Sequence, residues 1–192
     1  MSLELKQAEQ ALNDLSPKPF PLFMGSAAAA VEVAVQSLSK RDWLLCAPRF
    51  RAAASLRGCP PEHLIDPANG AKPYKLAPST LHTADRALHA VGLAMASQGT
   101  VLCILGEASI ASGSFSEALN MARLQDAPVI FLCFNRNLEA APITVQSAAS
   151  PIALAQAYGI SAVQTGDIEI LSQTISDARA QAQPFVLQFD LE

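Results

Sequence analysis

Two ionisable residues stand just beyond apolar runs that read as strands. Glu107 follows "TVLCIL", and Arg136 follows "APVIFLCF" with Asn135 before it. A carboxylate offers oxygen to a hard cation, whereas a guanidinium has no acceptor lone pair and stays charged at any ordinary pH. Placed together, the two would form a charge-assisted, bidentate hydrogen bond in which an arginine supplies the positive charge. Three more arginine and histidine positions add to the inventory. Arg49 and Arg51 flank Phe50 after the short apolar run "WLLCA", and His82 precedes the helical stretch "TADRALHAVGLAMASQ". His89, inside that stretch, is expected to pack or hydrogen-bond within the helix, and His63 to be exposed. No Ser-His-Asp or Cys-His arrangement can be assembled from the spacing.

The elements that must position these groups follow from periodicity and breakers. From Thr100 the order is regular: strand "TVLCIL", helix "SFSEALNMARLQ", strand "APVIFLCF", helix "SPIALAQAYG", strand "SAVQT", helix "DIEILSQTISDARAQA", strand "PFVLQF". Continuous apolar strands alternating with helices predict a mostly parallel sheet with helices on both faces. Ligands then bind beyond the carboxyl ends of the strands, which puts Glu107 and Arg136 where a site belongs. Upstream, "SAAAAVEVAVQSLSKRD" predicts an Ala-rich helix, "RFRAAASLRG" a helix closed by Gly58, "PPEHLID" a further helical turn and "PANGAKPYKLAP" a loop. The start to about Asp14 reads as an amphipathic helix broken by Pro17, Pro19 and Pro21, so residues 1–24 are expected to form an N-terminal helical arm and 25–192 a single domain.

Composition narrows the function classes. Of 192 residues, 51% are hydrophobic and 16% charged, which predicts surface hidden against another subunit, with the Ala-rich helix after Ser26 and "ALHAVGLAMA" as the contact helices. A net charge of −4 gives no basic footprint for nucleic acid or a membrane surface. No apolar run reaches the roughly eighteen residues of a transmembrane helix, and the acidic start is not signal-like, so a cytoplasmic location is expected. Cys46, Cys59, Cys103 and Cys133 are scattered without a CxxC pattern and read as reduced, mostly buried thiols.

Several segments carry a resemblance. "GEASIASGSFSEALNMA…APVIFLCFNRN" resembles the thiamine-diphosphate motif of alpha subunits of the first components of 2-oxo-acid dehydrogenases, the pyruvate, branched-chain and acetoin group. There a Gly-Asp-Gly turn ends one strand, a "GxFxEALNMA" helix follows and an Asn-Asn pair ends the next. "DWLLCAPRFRAAASLRG", "LHAVGLAMA", "YGISAVQTGDIEIL" and "PFVLQF" resemble further family segments in the same order, over roughly residues 25 to 190. The resemblance implies a thiamine-diphosphate-binding fold of the diphosphate-binding type. It also implies a magnesium ion bridging two phosphates, and a separate beta-type chain that supplies the Glu activating the aminopyrimidine.

Carried over residue by residue, the cofactor-binding positions are Arg49, His82, Gly106, Glu107, Ala108, Asn135 and Arg136. The departures fall on the metal. The family's Asp is Glu107, the Gly after it is Ala108, and the ligating second Asn is Arg136. The Tyr before the phosphate-holding Arg is Pro48, and the polar "GQEA" helix start is matched by Ser26, Ala27, Ala28 and Ala29. Magnesium demands near-ideal octahedral oxygen geometry, so no cofactor or metal is expected. The leading reading is a degenerate alpha-subunit-like protein, not competent alone, that serves as a structural, regulatory or partner-binding module with itself or a beta-type subunit. The alternative is an active oxidoreductase component using thiamine diphosphate and magnesium, with Glu107 as the metal ligand. A third reading converges Arg49, Arg51 and Arg136 on an anion without metal.

Overall fold

A computed structural model of the chain describes residues 1–15, 23–66, 68–79, 82–136 and 147–191, with Arg136 described by its backbone alone. The proline-rich breaker after the first helix lies outside the described residues. Strands β1 (Trp43–Cys46), β2 (Val101–Leu105), β3 (Val129–Arg136), β4 (Ser161–Thr165) and β5 (Phe185–Leu191) form one parallel sheet in the order β1-β2-β3-β5-β4. Trp43 pairs with Val101, Val101 with Val129, and both Ile130 and Ser161 with Phe185, so the carboxyl ends line one edge of the sheet. All five residues of β2 are buried, which is why its sequence shows no alternation.

Both faces of the sheet are covered, as the sequence predicts. On the first face, α1 (Leu3–Leu15), α2 (Ala28–Gln36), the 3-10 stretch Pro48–Arg57 and α7 (Ile168–Gln181) pack on Leu44, Leu102, Leu132 and Leu187. On the second, α3 (Arg86–Ala96), α4 (Glu107–Ile110), α5 (Gly113–Leu124) and α6 (Pro151–Ala157) pack on Leu45, Cys103, Phe131 and Val186. The chain steps from β1 through β4 in one direction with α3, α5 and α6 on the second face. It then steps back to place β5 between β3 and β4, and α7 crosses on the first face, as a constant right-handed crossover requires.

Several segments upstream of β2 differ from expectation. Expected as part of an arm, α1 docks with Leu5, Ala8 and Leu12 buried in the first core. Glu9 Oε1 accepts the Met24 N–H at 2.8 Å, and Glu32 Oε2 accepts the Ser2 N–H at 2.8 Å. The Ala-rich helix turns most of its small side chains into its own chain and leaves Ala29 exposed. Ala28, Ala30, Val31, Ala34 and Val35 are buried within this chain, because alanines let α2 sit close to its own neighbours, the 3-10 stretch Pro48–Arg57 and α7. Expected to be buried on most sides, α3 hides only Arg86, Ala87, Ala90, Val91 and Ala94, while His89, Gly92, Met95 and Ala96 are exposed.

A polar anchor and a close backbone approach fix the amino edge of the sheet, and backbone bonds cover its outer strand. Asp42, 4% exposed, accepts N–H bonds from Ser39 (2.6 Å) and Thr100 (3.1 Å) and pairs with Arg179 Nε at 2.6 Å, tying β1, β2 and α7 at the amino edge. Beside it, Gly99 lies so close to the preceding turn that a β-carbon would sit 2.3 Å from the Arg41 carbonyl oxygen. On the outer side of β1, Leu44 donates to the Lys75 carbonyl and its own carbonyl accepts from Ala77, which shields that sheet edge.

Candidate functional site

After β1 the chain turns onto the first face through Pro48, the first residue of the 3-10 stretch, and after β2 it turns onto the second face through α4. Neighbouring strands whose connections diverge in this way leave a crevice between their carboxyl ends. Arg49 and Gly106 meet there. The half-buried Arg49 guanidinium lies over the Phe50 ring, 4.5 Å from its centroid, and a β-carbon on Gly106 would come within 3.3 Å of Arg49 Nη2. The missing side chain at Gly106 is what lets the guanidinium rest on the turn.

Glu107 opens α4, half-buried, with Oε1 shut off from solvent, whereas the next residue, Ala108, is exposed. Ser109 lies beneath them and accepts a hydrogen bond from Arg86 Nη1 at 3.2 Å. Arg86 is 1% exposed and was missed by sequence reasoning. The available signal was a lone cation opening an otherwise apolar helix.

Asn135 is drawn elsewhere. Its Nδ2 donates to Asp190 Oδ1 at 2.8 Å, on the neighbouring strand β5. The backbone of Arg136 continues β3 opposite Leu191, and β3 adjoins β2 with Cys133 opposite Leu105. The Arg136 side chain, and with it the expected pairing to Glu107, lies outside the described residues. His82 is exposed just before α3, and His63 is exposed near the Tyr74 ring. His89 is exposed on α3 rather than packed, because it falls opposite the face that Ala87, Ala90 and Val91 turn to the sheet.

Arg51 does not join an anion site. Buried at 1% exposure, it donates to the carbonyls of His63, Leu64, Asp66 and Asn69, and so ties the turn read as helical in "PPEHLID" to the start of the loop that follows it. All four cysteines are buried. Burial pushes the Cys46 thiol up to about 11 despite the neighbouring Arg51 and Arg86, and raises Cys103 and Cys133 well above the ordinary value, which disfavours thiolate chemistry.

A family model described as dehydrogenase E1 component matches residues 23–186. The chain belongs to the dehydrogenase E1 component family. It is 30% identical over 175 residues to the 3-methyl-2-oxobutanoate dehydrogenase subunit alpha of Mycobacterium tuberculosis, in both strain CDC 1551 / Oshkosh and strain H37Rv. That match covers 83% of this chain and 47% of the relative, so this E1 chain spans about half the length of the curated relatives it matches. Among solved structures, a thiamin diphosphate-dependent enzyme from Mycobacterium smegmatis superimposes with a TM-score of 0.63 at 16% identity, covering 89% of this chain and 32% of that one. Benzoylformate decarboxylase from Polynucleobacter necessarius does so with a TM-score of 0.60 at 17% identity, covering 84% and 32%. Both share the fold. The α/β thiamine-diphosphate-binding architecture and the E1 alpha resemblance read from the sequence are therefore correct.

The residues present do not fit a magnesium-bridged diphosphate. Such a cation is held by one or two carboxylates together with phosphate oxygens and water at short, near-octahedral distances. At the β2 turn the described donor set reduces to the Glu107 carboxylate, with its chain one methylene longer than an Asp. Asn135 donates its Nδ2 to Asp190, and the arginine side chain at position 136 carries no oxygen.

Proposed function

We propose that this chain is an E1 alpha-type unit whose metal-diphosphate site has degenerated, and that it serves as a structural, regulatory or partner-binding module without being catalytically competent alone. One observation supports the reading: the turn after β2 presents a single carboxylate, Glu107, one methylene longer than an Asp, and the arginine side chain at position 136 has no oxygen to add to an octahedral shell. Fold and chemistry are separable, and here the core pattern persists while the site has changed. The proposed partner is a beta-type dehydrogenase subunit or a second copy of this chain. No helix among the described residues is long and apolar enough to cross a membrane. A cytoplasmic location, in keeping with four free thiols, belongs to the same reading.

The second reading, an active thiamine-diphosphate-dependent 2-oxo-acid dehydrogenase alpha component, is favoured by Arg49. It keeps a cation on the Gly106 turn, in the crevice where a diphosphate would need one. Thermal unfolding with thiamine diphosphate and magnesium, with and without a beta-type chain, separates the two. A ligand at a hundred times its dissociation constant adds about 2.7 kcal/mol, which raises Tm by roughly 5–11 °C for a domain of this size. No shift is expected. A magnesium-dependent rise would restore the active reading.

A further inference from the structure

Because β5 runs between β3 and β4, alternate side chains of three strands meet on the second face near the carboxyl ends: Asn135 from β3, Gln188 and Asp190 from β5, and Gln164 from β4. Three carboxamides converge on one carboxylate. Asn135 Nδ2 and Gln188 Nε2 donate to Asp190 Oδ1 at 2.8 and 2.9 Å, and Gln164 Nε2 donates to Oδ2 at 2.7 Å. An ionised carboxylate only accepts, so each amide turns its nitrogen toward Asp190, and this fixes where its oxygen lies.

For Gln188 that assignment leaves a deficit. The side chain is 4% exposed, and its Oε1 is buried with no hydrogen-bond donor. A buried acceptor of this kind calls for a partner. Asp190 adds a charge: amide donors from Gln164, Asn135 and Gln188 outweigh the effect of burial and hold its carboxyl below the usual range, and no lysine or arginine among the described residues pairs with it. Asp190 is half-buried and Gln164 is exposed, so the cluster opens to solvent on the β4 side.

We propose that Asn135, Gln164, Gln188 and Asp190 form a binding site for a primary ammonium group. The carboxylate supplies the opposite charge, and Gln188 Oε1 supplies the buried acceptor that an N–H must reach. One carboxylate matches a single positive charge, and a quaternary ammonium, which lacks N–H, cannot satisfy the amide oxygen. This site is separate from the Arg49–Gly106 crevice and does not depend on the reading above.

Titration of the full chain, isotopically labelled at nitrogen, with ammonium or methylammonium chloride tests it, with tetramethylammonium chloride at matched ionic strength as the control. Saturable shifts of the Asn135, Gln164 and Gln188 side-chain amide signals are expected with the first two salts and absent with the third. Binding should weaken roughly tenfold or more in Asp190→Asn and in Gln188→Met, the second variant keeping the carboxylate and serving if the first does not fold. No saturable response in the unaltered chain overturns the site, as does an equal response to all three salts. Binding that survives both substitutions also overturns it.

Discussion

Replacing Asp42 by alanine removes three interactions from one buried point. The Thr100 N–H, at the entrance to β2, loses its acceptor in a place that water does not reach, which costs about 1–3 kcal/mol. The Ser39 N–H bond, which holds the turn into β1, contributes on the order of 1 kcal/mol, as a helix or turn cap does. Arg179 keeps its bond to the Ser37 carbonyl and is one-quarter exposed, so its lost partner is discounted for solvent to about 1 kcal/mol. Together the loss is roughly 3–5 kcal/mol, or a fall in Tm of roughly 6–20 °C for a domain this size. Denaturant titration of Asp42→Ala at neutral pH measures it. Removing Arg179 alone, as Arg179→Met, should cost about 1–2 kcal/mol, because it gives up the bond to the Ser37 carbonyl as well as the ion pair but leaves both N–H bonds to Asp42 in place. A loss for Asp42→Ala of less than about 1 kcal/mol would refute the view that this carboxylate satisfies the strand entrances.

Two further outcomes follow from the same geometry. Gly99→Ala should destabilise by about 2–4 kcal/mol, because its β-carbon would meet backbone at Arg41 that cannot rotate away; circular dichroism melts that match the unaltered chain would show the turn to be compliant. Glu32, held below its ordinary value because hydrogen bonds from Ser2 outweigh burial, contributes stability that is complete above the unfolded carboxyl value of about 4.3 and lost as pH falls through the lower folded value. Glu32→Gln should therefore flatten part of the acid limb of the stability curve below about pH 4 while leaving its shape above pH 5 unchanged.

What the sequence disclosed and what it hid divide along the range of the interactions. Every strand after Thr100 was legible, because Val101–Leu105 and Val129–Phe134 are apolar without interruption and the helices between them carry a helical period. Arg49 and Gly106 were each singled out through spacing shared with relatives, but their meeting in one crevice comes only from the fold. Arg51 was not: a single cation serving four loop carbonyls leaves no periodic trace, so its charge read as a candidate anion contact. The exposure of the alanines in α2 was misjudged because small side chains permit close packing without saying against which surface, and the surface proved to be the 3-10 stretch Pro48–Arg57 and α7 of the same chain. Asp190 and Gln188 escaped notice because "FVLQFD" reads as a strand end, and only the register with Asn135 and Gln164 makes them a cluster.

The late position of β5 also bears on how the chain is made. As the polypeptide emerges from the ribosome, β1, β2 and β3 can zip together in order, but β3 has no partner on its other side until residues 185–191 slide in between it and β4. For the time needed to synthesise about fifty residues, at roughly 5–20 residues per second, β3 presents bare N–H and C=O groups along one side of Ile130–Arg136. Such an apolar template invites pairing with another nascent chain. A chaperone that shields this strand, or a pause placed after β5 rather than before it, would raise the yield of folded protein without altering a single native contact.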